Sequence, residues 1–312
     1  MSERILVTGA GGYVGSAIVC HLARAGHPVR AFGHDSRFAA LREIADGDVD
    51  FVAGDLLDEA SLADGLAGCG AVVHTASYAG ERACRANIPG AIATIVRGTR
   101  LVVDAAHAAG IRRFVHLSTY AVYSTFAERA MPLAETSDLL PDDLYGSLKA
   151  EAEWEAARAH AAILRLTNVF GPGSGLVVKT DVMGHFRNAV ADGGTIKTQG
   201  GGKQAIEFVH IEDVCRVVEE LASRERSEAL VLNVGSGQAT PIRDLALLFQ
   251  RLAREIHGRE IEIVDTPAAA DKTWPDRFTT IEKAASLLPW YPAHSLEDGV
   301  RAIVDAIDKS GS

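Results

Sequence analysis

The stretch "TGAGGYVG", residues 8–15, decides the fold class. It follows the strand-like run "RILV" and opens a helix-like pattern over about residues 13–25. Glycines at 9, 12 and 15 allow a tight turn, a close approach of backbone to a pyrophosphate, and capture of that anion by N–H groups at the helix N-terminus. A glycine-rich turn without a ligand is the plainer alternative, but here strand, glycines and helix come in the required order. The stretch predicts a dinucleotide site at Gly9, Gly12, Tyr13, Val14 and Gly15.

Apolar segments of strand length alternate with segments of helix length through the first 171 residues. Such alternation is typical of an α/β protein with a parallel, doubly wound sheet of the Rossmann type. After Gly171, Gly and Pro cluster in "FGPGSG", and short strands then mix with helices, which indicates a smaller C-terminal α/β lid that binds the substrate. We predict a dinucleotide-binding Rossmann domain at 1–171 with 205–225, and a substrate-binding lid at 172–204 and 226–312. Helices are predicted near 13–25, 91–109, 145–160, 181–192, 212–223, 241–257 and 295–309.

The composition limits the classes of function. The chain has 312 residues, 47% of them hydrophobic, and a formal net charge of −10. A chain of this size buries an adequate core, and an acidic chain without a basic tract argues against a nucleic-acid partner. Neither a signal peptide nor a run of ~20 apolar residues is visible, so we expect a cytoplasmic protein without a membrane partner. The cysteines are scattered without metal-ligand spacing, and we expect free, buried thiols and no metal site at Cys20, Cys69, Cys84 and Cys215.

The end of the second strand bears on the choice of dinucleotide. In NAD enzymes with this turn, an acidic residue about 20 positions after the glycines binds the ribose hydroxyls. Here that position is Gly33, and it is followed by His34, Asp35, Ser36 and Arg37. His34 or Arg37 suits the 2′-phosphate of NADP, whereas Asp35 suits the ribose of NAD. The predicted cofactor is therefore NAD or NADP.

The segment "YGSLK", residues 145–149, places a phenol and an ammonium one helical turn apart. A free phenol has a pKa near 10 and is a poor base at neutral pH. A nearby ammonium and an oxidised nicotinamide both favour the phenolate, which would make Tyr145 a usable general base with Lys149 as its partner. A solvated Tyr–Lys pair is the alternative at this spacing.

Nine motifs occur in the order found in one known family. They are the glycine turn, "GDL" at 54–56, "VVHTAS" at 72–77, "HLSTYAVYS" at 116–124, "YGSLK" at 145–149, "LRLTNVFGPG" at 164–173, "FVHIEDV" at 208–214, "LNVGSG" at 232–237 and "LPWYPAHSLEDGV" at 288–300. Together they resemble the extended short-chain dehydrogenase/reductases of the NAD-dependent epimerase/dehydratase family. The resemblance covers essentially the whole chain.

This resemblance implies roles for single residues. Tyr145 is matched to the catalytic acid/base, Lys149 to its electrostatic partner and ribose anchor, and Thr119 to the hydroxyl that orients the reacting oxygen. Thr119 ends the run "RRFVHLST", so its hydroxyl is expected at the carboxyl edge of the sheet, beside the helix that begins near Tyr145.

Further matches concern the two ligands. Asp55 with Leu56 resembles the adenine contact, and Ala76 with Ser77 resembles the loop beside the nicotinamide. Asn168 matches an asparagine that reaches the sugar nucleotide in nucleotide-sugar members of the family. An ordinary turn or cap residue is the alternative for Asp55 and for Asn168.

Two departures from the family's pattern affect the expected chemistry. Tyr120 and Ala121 replace the Asp-Glu pair of the sugar dehydratases, and without that acid and base we do not expect dehydration. Ile206 stands where many nucleotide-sugar enzymes have a phosphate-binding arginine, which puts the usual diphosphate contact in doubt. Arg277 or Lys272 is the predicted substitute, since a bidentate arginine suits phosphate.

Three functions remain open from the sequence. The leading hypothesis is NAD(P)-dependent hydride transfer on a nucleotide sugar, with C4 epimerisation through a keto intermediate. An NADPH-dependent ketoreductase of a keto sugar or a non-sugar ketone is the alternative enzyme, which Gly33 and Ile206 favour. A catalytically silent dinucleotide-binding protein is the third, although the set of Thr119, Tyr145 and Lys149 argues against it.

Two further expectations follow from the pattern and the resemblance. The segment at 92–109 is apolar nearly all round, and homologues commonly dimerise through this helix and the next one. We therefore expect a homodimer through helices 91–109 and 145–160. His210 lies in an apolar strand, and we expect an architectural role for it.

Overall fold

A computed structural model describes residues 3–124, 127, 129–174, 177, 181–267 and 275–307. Its strands are β1 Arg4–Thr8, β2 Val29–Gly33, β3 Val49–Ala53, β4 Cys69–His74, β5 Arg113–Thr119, β6 Ala162–Leu166, β7 Asn168–Phe170, β8 Thr195–Gln199, β9 Ala205–His210, β10 Leu230–Val234, β11 Ala239–Pro241 and β12 Glu262–Thr266. Seven of them form one parallel sheet in the order β3-β2-β1-β4-β5-β6-β10. The predicted Rossmann-type sheet is confirmed.

Some helices cover both faces of this sheet, and others belong to the smaller part of the molecule beyond it. They are α1 Tyr13–Arg24, α2 Phe38–Ile44, α3 Glu59–Leu66, α4 Glu81–Ala86, α5 Ile88–Ile92, α6 Gly98–Ala108, α7 Leu144–Ala157, α8 Val182–Ala191, α9 Ile211–Ala222, α10 Ile242–His257, α11 Glu282–Leu287 and α12 Leu296–Asp305. One core lies between the sheet and α1 with α9, and another lies between the sheet and α3, α6 and α7. The helices predicted from the sequence are all found, with ends that differ by a few residues.

The strand order reverses between β1 and β4, because the chain moves outward through β2 and β3 before it returns to the other side of β1. At such a point the loops after the two central strands diverge and leave a crevice at the carboxyl edge of the sheet. The glycine turn follows β1, and the segment Thr75–Ser77 follows β4. The topology therefore places both predicted cofactor loops at this crevice.

The smaller part of the molecule lies beyond the carboxyl edge. There β7, β9 and β11 form one small sheet, and β8 pairs with β12 in another. A separate apolar core is shared by α8, α10 and α12. The predicted boundary at residue 226 was wrong in one respect: β10 pairs with β6 at the edge of the large sheet, because its apolar run "LVLNV" can bury both faces there. The remaining division into two domains stays a prediction.

One helix crossing the sheet is irregular. α5 continues through a π-helical segment, Ala93–Arg97, into α6 without a break.

Among the described residues, no helix combines the length and the hydrophobicity that a membrane crossing requires.

Two histidines on adjacent strands are enclosed in the core. His74 contacts Thr8 Oγ1 through Nδ1 at 2.7 Å and Thr99 Oγ1 through Nε2 at 2.9 Å. Thr99 donates its own hydrogen to the Ile95 carbonyl in the π-helical segment, so Nε2 of His74 is the ring donor and Nδ1 the acceptor. His116 stacks on His74, and neither of its ring nitrogens has a hydrogen-bond partner among the described residues. Burial lowers the pKa of both rings.

This burial makes stability depend on pH. Burial lowers the pKa of His74 to about 3, whereas the unfolded chain binds a proton at this ring near 6.5. The unfolded state therefore holds more protons below pH 6.5, and stability is lost as pH falls from 6.5 towards 3. For His74 alone we expect a loss of about 2 kcal/mol in the free energy of unfolding between pH 6.5 and 5.

Urea denaturation of the wild type and of His74→Gln at pH 7.5 and pH 5 measures this contribution. The variant should lose about 2 kcal/mol less than the wild type over that interval. His21, whose pKa is raised by its bonds to Glu212 and Glu219, acts in the opposite direction, but it does so equally in both proteins and cancels. Equal losses in the two proteins would rule out the titration of His74.

Candidate active site

The glycine turn has the shape that a dinucleotide pyrophosphate requires. Gly9 has a φ of 66°, which favours glycine, and its carbonyl accepts from Gly12 N at 2.9 Å. A Cβ on Gly15 would lie 2.2 Å from the Gly9 oxygen, so helix and strand pack too closely for a side chain there. A Cβ on Gly12 would contact only that oxygen, at 3.2 Å, and otherwise points into open space. Gly12 caps α1 without a side-chain hydrogen bond, so the N-terminus of this helix, at Tyr13 and Val14, directly follows the turn.

The turn is fixed to the loop after β4. Thr75 donates its hydroxyl to the Thr8 carbonyl at 2.7 Å, and a Cβ on Gly9 would meet the Ala76 backbone at 2.7 Å. Ser77 comes next and is exposed, with its hydroxyl bonded to the Tyr78 carbonyl. The two predicted cofactor loops thus lie in direct contact.

The ends of β2 and β3 complete this edge. Gly54 N donates to the Gly33 carbonyl at 2.9 Å, which holds the two strand ends together. Asp55 is exposed and accepts from Leu57 N at 2.9 Å, and Leu56 beside it is half-buried against the core below.

The exposed segment after β2 carries the residues that bear on the cofactor's ribose. His34 is followed by a short helical turn, Asp35–Arg37, and all of these side chains are exposed. A Cβ on Gly11 would fall 2.3 Å from Arg37 Cβ, so Arg37 lies directly against the glycine turn. The structure thus brings a basic side chain to the turn, while β2 ends without a carboxylate.

Helix α7 begins at the same edge of the sheet. Asp143 caps it by accepting from Gly146 N at 2.6 Å, and Glu81 accepts from Tyr145 N at 2.8 Å. A Cβ on Gly146 would lie 2.5 Å from the Ala121 carbonyl, so this glycine permits a close approach of α7 to the segment after β5. That approach brings Tyr145 to Thr119, whose hydrogen bond acts to lower the pKa of the phenol. The sequence reading did not identify Gly146, although its place in "YGSLK" was visible.

Lys149 lies one turn further along α7 and is buried. Its Nζ donates to the Leu117 carbonyl at 2.6 Å, two residues before Thr119 on β5. Burial lowers the pKa of Lys149 to about 8. Thr119, Tyr145 and Lys149 are therefore brought together as the sequence predicted.

Burial dominates the electrostatics of the Tyr145 phenol in the protein alone. Burial raises the pKa of Tyr145 above its ordinary value, and Cys84 and Asp143 act in the same direction. In the protein alone the Lys149 ammonium is directed to the Leu117 carbonyl, and desolvation dominates the pKa of the phenol. The predicted phenolate depends on an oxidised nicotinamide beside the phenol as well as on the ammonium, so it stays a prediction.

A buried ionic network anchors α7 to the sheet, and the sequence reading missed it. Arg165 on β6 forms a two-pronged ion pair with Glu153 on α7, at 3.0 and 2.7 Å, and Glu153 also accepts from Ser118 at 2.5 Å. Arg165 further donates to the Tyr123 hydroxyl at 3.0 Å, which itself donates to Asn233 at 2.7 Å. Two features of the sequence could have indicated this network: an arginine inside the apolar run "AAILRL", and a glutamate eight residues after Tyr145.

Asn168 reaches the substrate side of the site from the start of β7. Its amide nitrogen donates to the Glu207 carbonyl at 2.9 Å and to the Tyr120 hydroxyl at 3.1 Å. Tyr120 directly follows Thr119, so Asn168 contacts the residue beside the catalytic candidates.

Arg277 does not occupy the position predicted for it as a phosphate ligand. It is 2% exposed, and its guanidinium donates to the carbonyls of Ser124 at 3.3 Å, Asp276 at 2.7 Å and Ala127. Its backbone pairs beside Ile206, which explains the burial. Because the guanidinium already donates to main-chain carbonyls, the prediction that Arg277 binds the diphosphate in place of the missing arginine was wrong. Lys272 lies outside the described residues.

The four cysteines are free, as predicted, but Cys69 is less buried than expected. Cys20, Cys84 and Cys215 are buried, and Cys69 is half-buried. The fold also brings ligand atoms of His21, Glu212 and Cys215 within 4.8 Å of one another, which spacing in the sequence could not reveal. Both ring nitrogens of His21 already face carboxylates, of Glu212 at 3.4 Å and Glu219 at 2.8 Å, so the group forms an ion-pair cluster between α1 and α9.

His210 supports the architecture, as expected. Its Nδ1 accepts from Glu212 N at 3.2 Å and so caps α9, and its ring stacks on His294 at 4.3 Å. Asp213 accepts from the backbone N–H groups of Ala293 and His294, which fixes the segment before α12.

Comparison with known proteins identifies the family. The sequence model of the NAD dependent epimerase/dehydratase family matches residues 5–235. The dTDP-glucose 4,6-dehydratase of Streptomyces antibioticus is 30% identical over 96% of this chain and 91% of its own length. The UDP-glucose 4-epimerase of Corynebacterium glutamicum is 29% identical over 97% of this chain and 94% of its own length. The fold matches the UDP-glucose-4-epimerase of Stenotrophomonas maltophila, with a TM-score of 0.87 at 22% identity, over 99% and 98% of the two chains.

The chain belongs to the NAD-dependent epimerase/dehydratase family. Its place there confirms the resemblance seen in the sequence and makes it an enzyme of the NAD-dependent, nucleotide-sugar-modifying type. Because the family is NAD-dependent, the predicted nicotinamide dinucleotide cofactor is also confirmed. The family match does not distinguish an epimerase from a dehydratase, since both kinds of enzyme occur among the relatives.

Proposed function

We propose that this enzyme epimerises a nucleotide sugar at C4 through a keto intermediate, with NAD as its cofactor. The observation that carries the proposal is the convergence of Thr119, Tyr145 and Lys149 at the carboxyl edge of the sheet that also carries the glycine turn, with Tyr120 and Ala121 where the sugar dehydratases have Asp-Glu. The relatives support the substrate class, since they are named for dTDP-glucose and UDP-glucose.

The residues around the crevice fit the dinucleotide. The open space over Gly12 and the N–H groups at the start of α1 suit a pyrophosphate, and Ala76 lies against the turn, on the side assigned to the nicotinamide. Asp55, at the end of β3, suits the adenine side. NAD, when bound, supplies the hydride acceptor and donor, and its positive charge favours the phenolate form of Tyr145.

The protein's own residues handle the proton. Tyr145 removes the proton from the C4 hydroxyl of the sugar and later returns one to the same oxygen. Thr119 holds that oxygen by a hydrogen bond. Lys149, with a pKa of about 8, carries a positive charge at neutral pH and stabilises the phenolate.

The released cofactor and the reaction without added cofactor test this function. An epimerase regenerates its cofactor in every cycle, so denatured protein should release oxidised NAD, and fresh protein should invert a sugar from a panel of UDP-, dTDP- and GDP-sugars with no net change in NAD(P)H. Protein that is empty on denaturation, and that reacts only when NADPH is supplied and consumed, would contradict the proposal.

One observation favours the second candidate, an NADPH-dependent ketoreductase. β2 ends at Gly33 without a carboxylate, and Arg37 lies against the glycine turn, where it could meet a 2′-phosphate. Titration of NADH and NADPH against the wild type and Arg37→Ala separates the two. A loss confined to NADPH supports the reductase, and an equal loss for both dinucleotides removes Arg37 from any 2′-phosphate role.

We also propose that the chain forms a homodimer through α5, α6 and α7. Large apolar side chains are exposed on these helices: Trp154 is 73% exposed, Ile88 44% and Ile92 45%. Because α7 packs against α6 and the π-helical segment, these exposed apolar side chains lie on neighbouring helices and suit an interaction surface. The outer face of α6 is more polar than expected, with Arg100 near Asp104, which also pairs with Arg158 just after α7.

We expect Trp154→Glu to break this dimer. A buried interface tryptophan commonly contributes ~2 kcal/mol or more, so the dissociation constant should rise roughly 30-fold or more. Sedimentation equilibrium should give a wild-type dimer of 33.1 kDa chains and a largely monomeric variant. Trp290, which is 2% exposed in the core, is not suitable for comparison, so Leu247→Glu, at a 44% exposed site on α10, is the control and should stay dimeric. A monomeric wild type excludes the proposed dimer.

A further inference from the structure

The hydrogen bonds of Asn168 leave it without a donor for the substrate. A primary amide has two N–H hydrogens and one carbonyl oxygen. The Glu207 carbonyl can only accept, so the nitrogen must face it, and the second hydrogen is directed to the Tyr120 hydroxyl. Only Oδ1, an acceptor, remains for a ligand.

Tyr120, unlike Asn168, still has a hydrogen to donate. Its hydroxyl accepts from Asn168 and can still donate its own hydrogen, which no residue in the described part of the chain accepts. Burial raises the pKa of Tyr120, while Asn168 and Arg277 act in the opposite direction, so the group is a neutral phenol at neutral pH. A neutral phenol is a hydrogen-bond donor.

The position of Tyr120 directs that donor to the reacting part of a ligand. It follows Thr119 at the carboxyl edge of β5, and the segment Tyr120–Val122 packs against the first turn of α7, which carries Tyr145. If Thr119 and Tyr145 hold the reacting oxygen, as proposed above, the sugar oxygens on and beside the reacting carbon would be those nearest to Tyr120.

We propose that Tyr120 binds the sugar itself, by donating its phenolic hydrogen to a sugar oxygen and so replacing the donor that Asn168 has committed elsewhere. This inference rests on the proposed function, because it requires a nucleotide sugar in the site. It assigns to Tyr120 a contact with the sugar moiety and none with the nucleotide.

Isothermal titration calorimetry of Tyr120→Phe with UDP-glucose and UDP, and with dTDP-glucose and dTDP, tests the contact. One such hydrogen bond is worth about 1.4 kcal/mol, so the nucleotide sugar should bind about 10-fold more weakly while the free nucleoside diphosphate binds unchanged. Loss of the phenol oxygen also frees one Asn168 hydrogen, so the double variant Tyr120→Phe/Asn168→Ala is titrated as well, and it should show at least the same selective loss.

Tyr123→Phe is the matched control. Its hydroxyl bonds to Arg165 and Asn233 in the core, so we expect a lower melting temperature and no change in the ratio of the two affinities. Unchanged binding of the nucleotide sugar in both Tyr120 variants, or an equal loss for the free diphosphate, overturns the inference and leaves the proposed function intact. A wild type that binds no sugar of the UDP-, dTDP- and GDP-sugar panel overturns both.

Discussion

Tyr145→Phe should reduce turnover by about 10²- to 10⁴-fold, because the ring stays and only the transferable proton is lost. The phenol is held beside Thr119 at the start of α7 and is desolvated, which is the environment of a group that exchanges a proton with a bound ligand. The capping contacts of α7 involve Asp143 and the Tyr145 backbone, and neither depends on the hydroxyl. Folding and cofactor affinity should therefore be almost unchanged.

Steady-state kinetics with the sugar identified by the panel, together with a thermal melt and an NAD titration, measure these three properties. Lys149→Met is the informative companion, because its buried ammonium bonds Leu117 at the end of β5 and we expect a loss of both turnover and cofactor affinity. Near-wild-type turnover in Tyr145→Phe would remove Tyr145 from proton transfer.

Gly12→Val should abolish tight dinucleotide binding in a protein that still folds. Gly12 has φ −83° and ψ 172°, which any residue adopts, and a Cβ there meets only the Gly9 oxygen at 3.2 Å. The rest of the side chain would occupy the open space over the turn, where the pyrophosphate is proposed to lie. Overpacking of ~1–3 kcal/mol corresponds to roughly 10- to 100-fold weaker binding.

The neighbouring glycines give a contrast for this experiment. Gly15→Val places a Cβ 2.2 Å from the Gly9 oxygen and should destabilise the fold itself. Gly12→Ala should lie between the wild type and Gly12→Val in NAD affinity, as measured by fluorescence titration. If Gly12→Val binds NAD as tightly as the wild type, the pyrophosphate does not cross the turn at Gly12.

The fold was predictable because its signals are local. The glycine turn, the apolar strands and the helix periods each occupy one short stretch, and a parallel sheet follows from their alternation. The pairing of β10 with β6 was not predictable in this way, since nothing in "LVLNV" distinguishes an edge strand of the large sheet from a strand of the lid. That choice depends on contacts between residues about 70 positions apart.

In the candidate site, too, residues in local motifs were predictable from the sequence, and contacts between distant segments were not. Thr119, Tyr145 and Lys149 were found because each lies in a recognisable motif, at the end of a strand or in the first turns of a helix. The bonds of Arg277 to three main-chain carbonyls, and the ion pair between Glu153 and Arg165, depend on the packing of distant segments. An arginine in the sequence shows that a charge is available, but only the fold shows whether that charge faces a ligand.

The central claim is that a hydride leaves C4 of the sugar and returns to the same carbon on the opposite face. Incubation of the enzyme with the nucleotide sugar deuterated at C4, without added cofactor, followed by NMR and mass spectrometry of the product, tests this directly. The account predicts an epimer that retains its deuterium at C4. Deuterium at C6 of a dehydrated product would show a dehydratase. No reaction of this substrate, with NADPH consumed when the corresponding 4-keto sugar is supplied instead, would show a reductase. Either result contradicts the account.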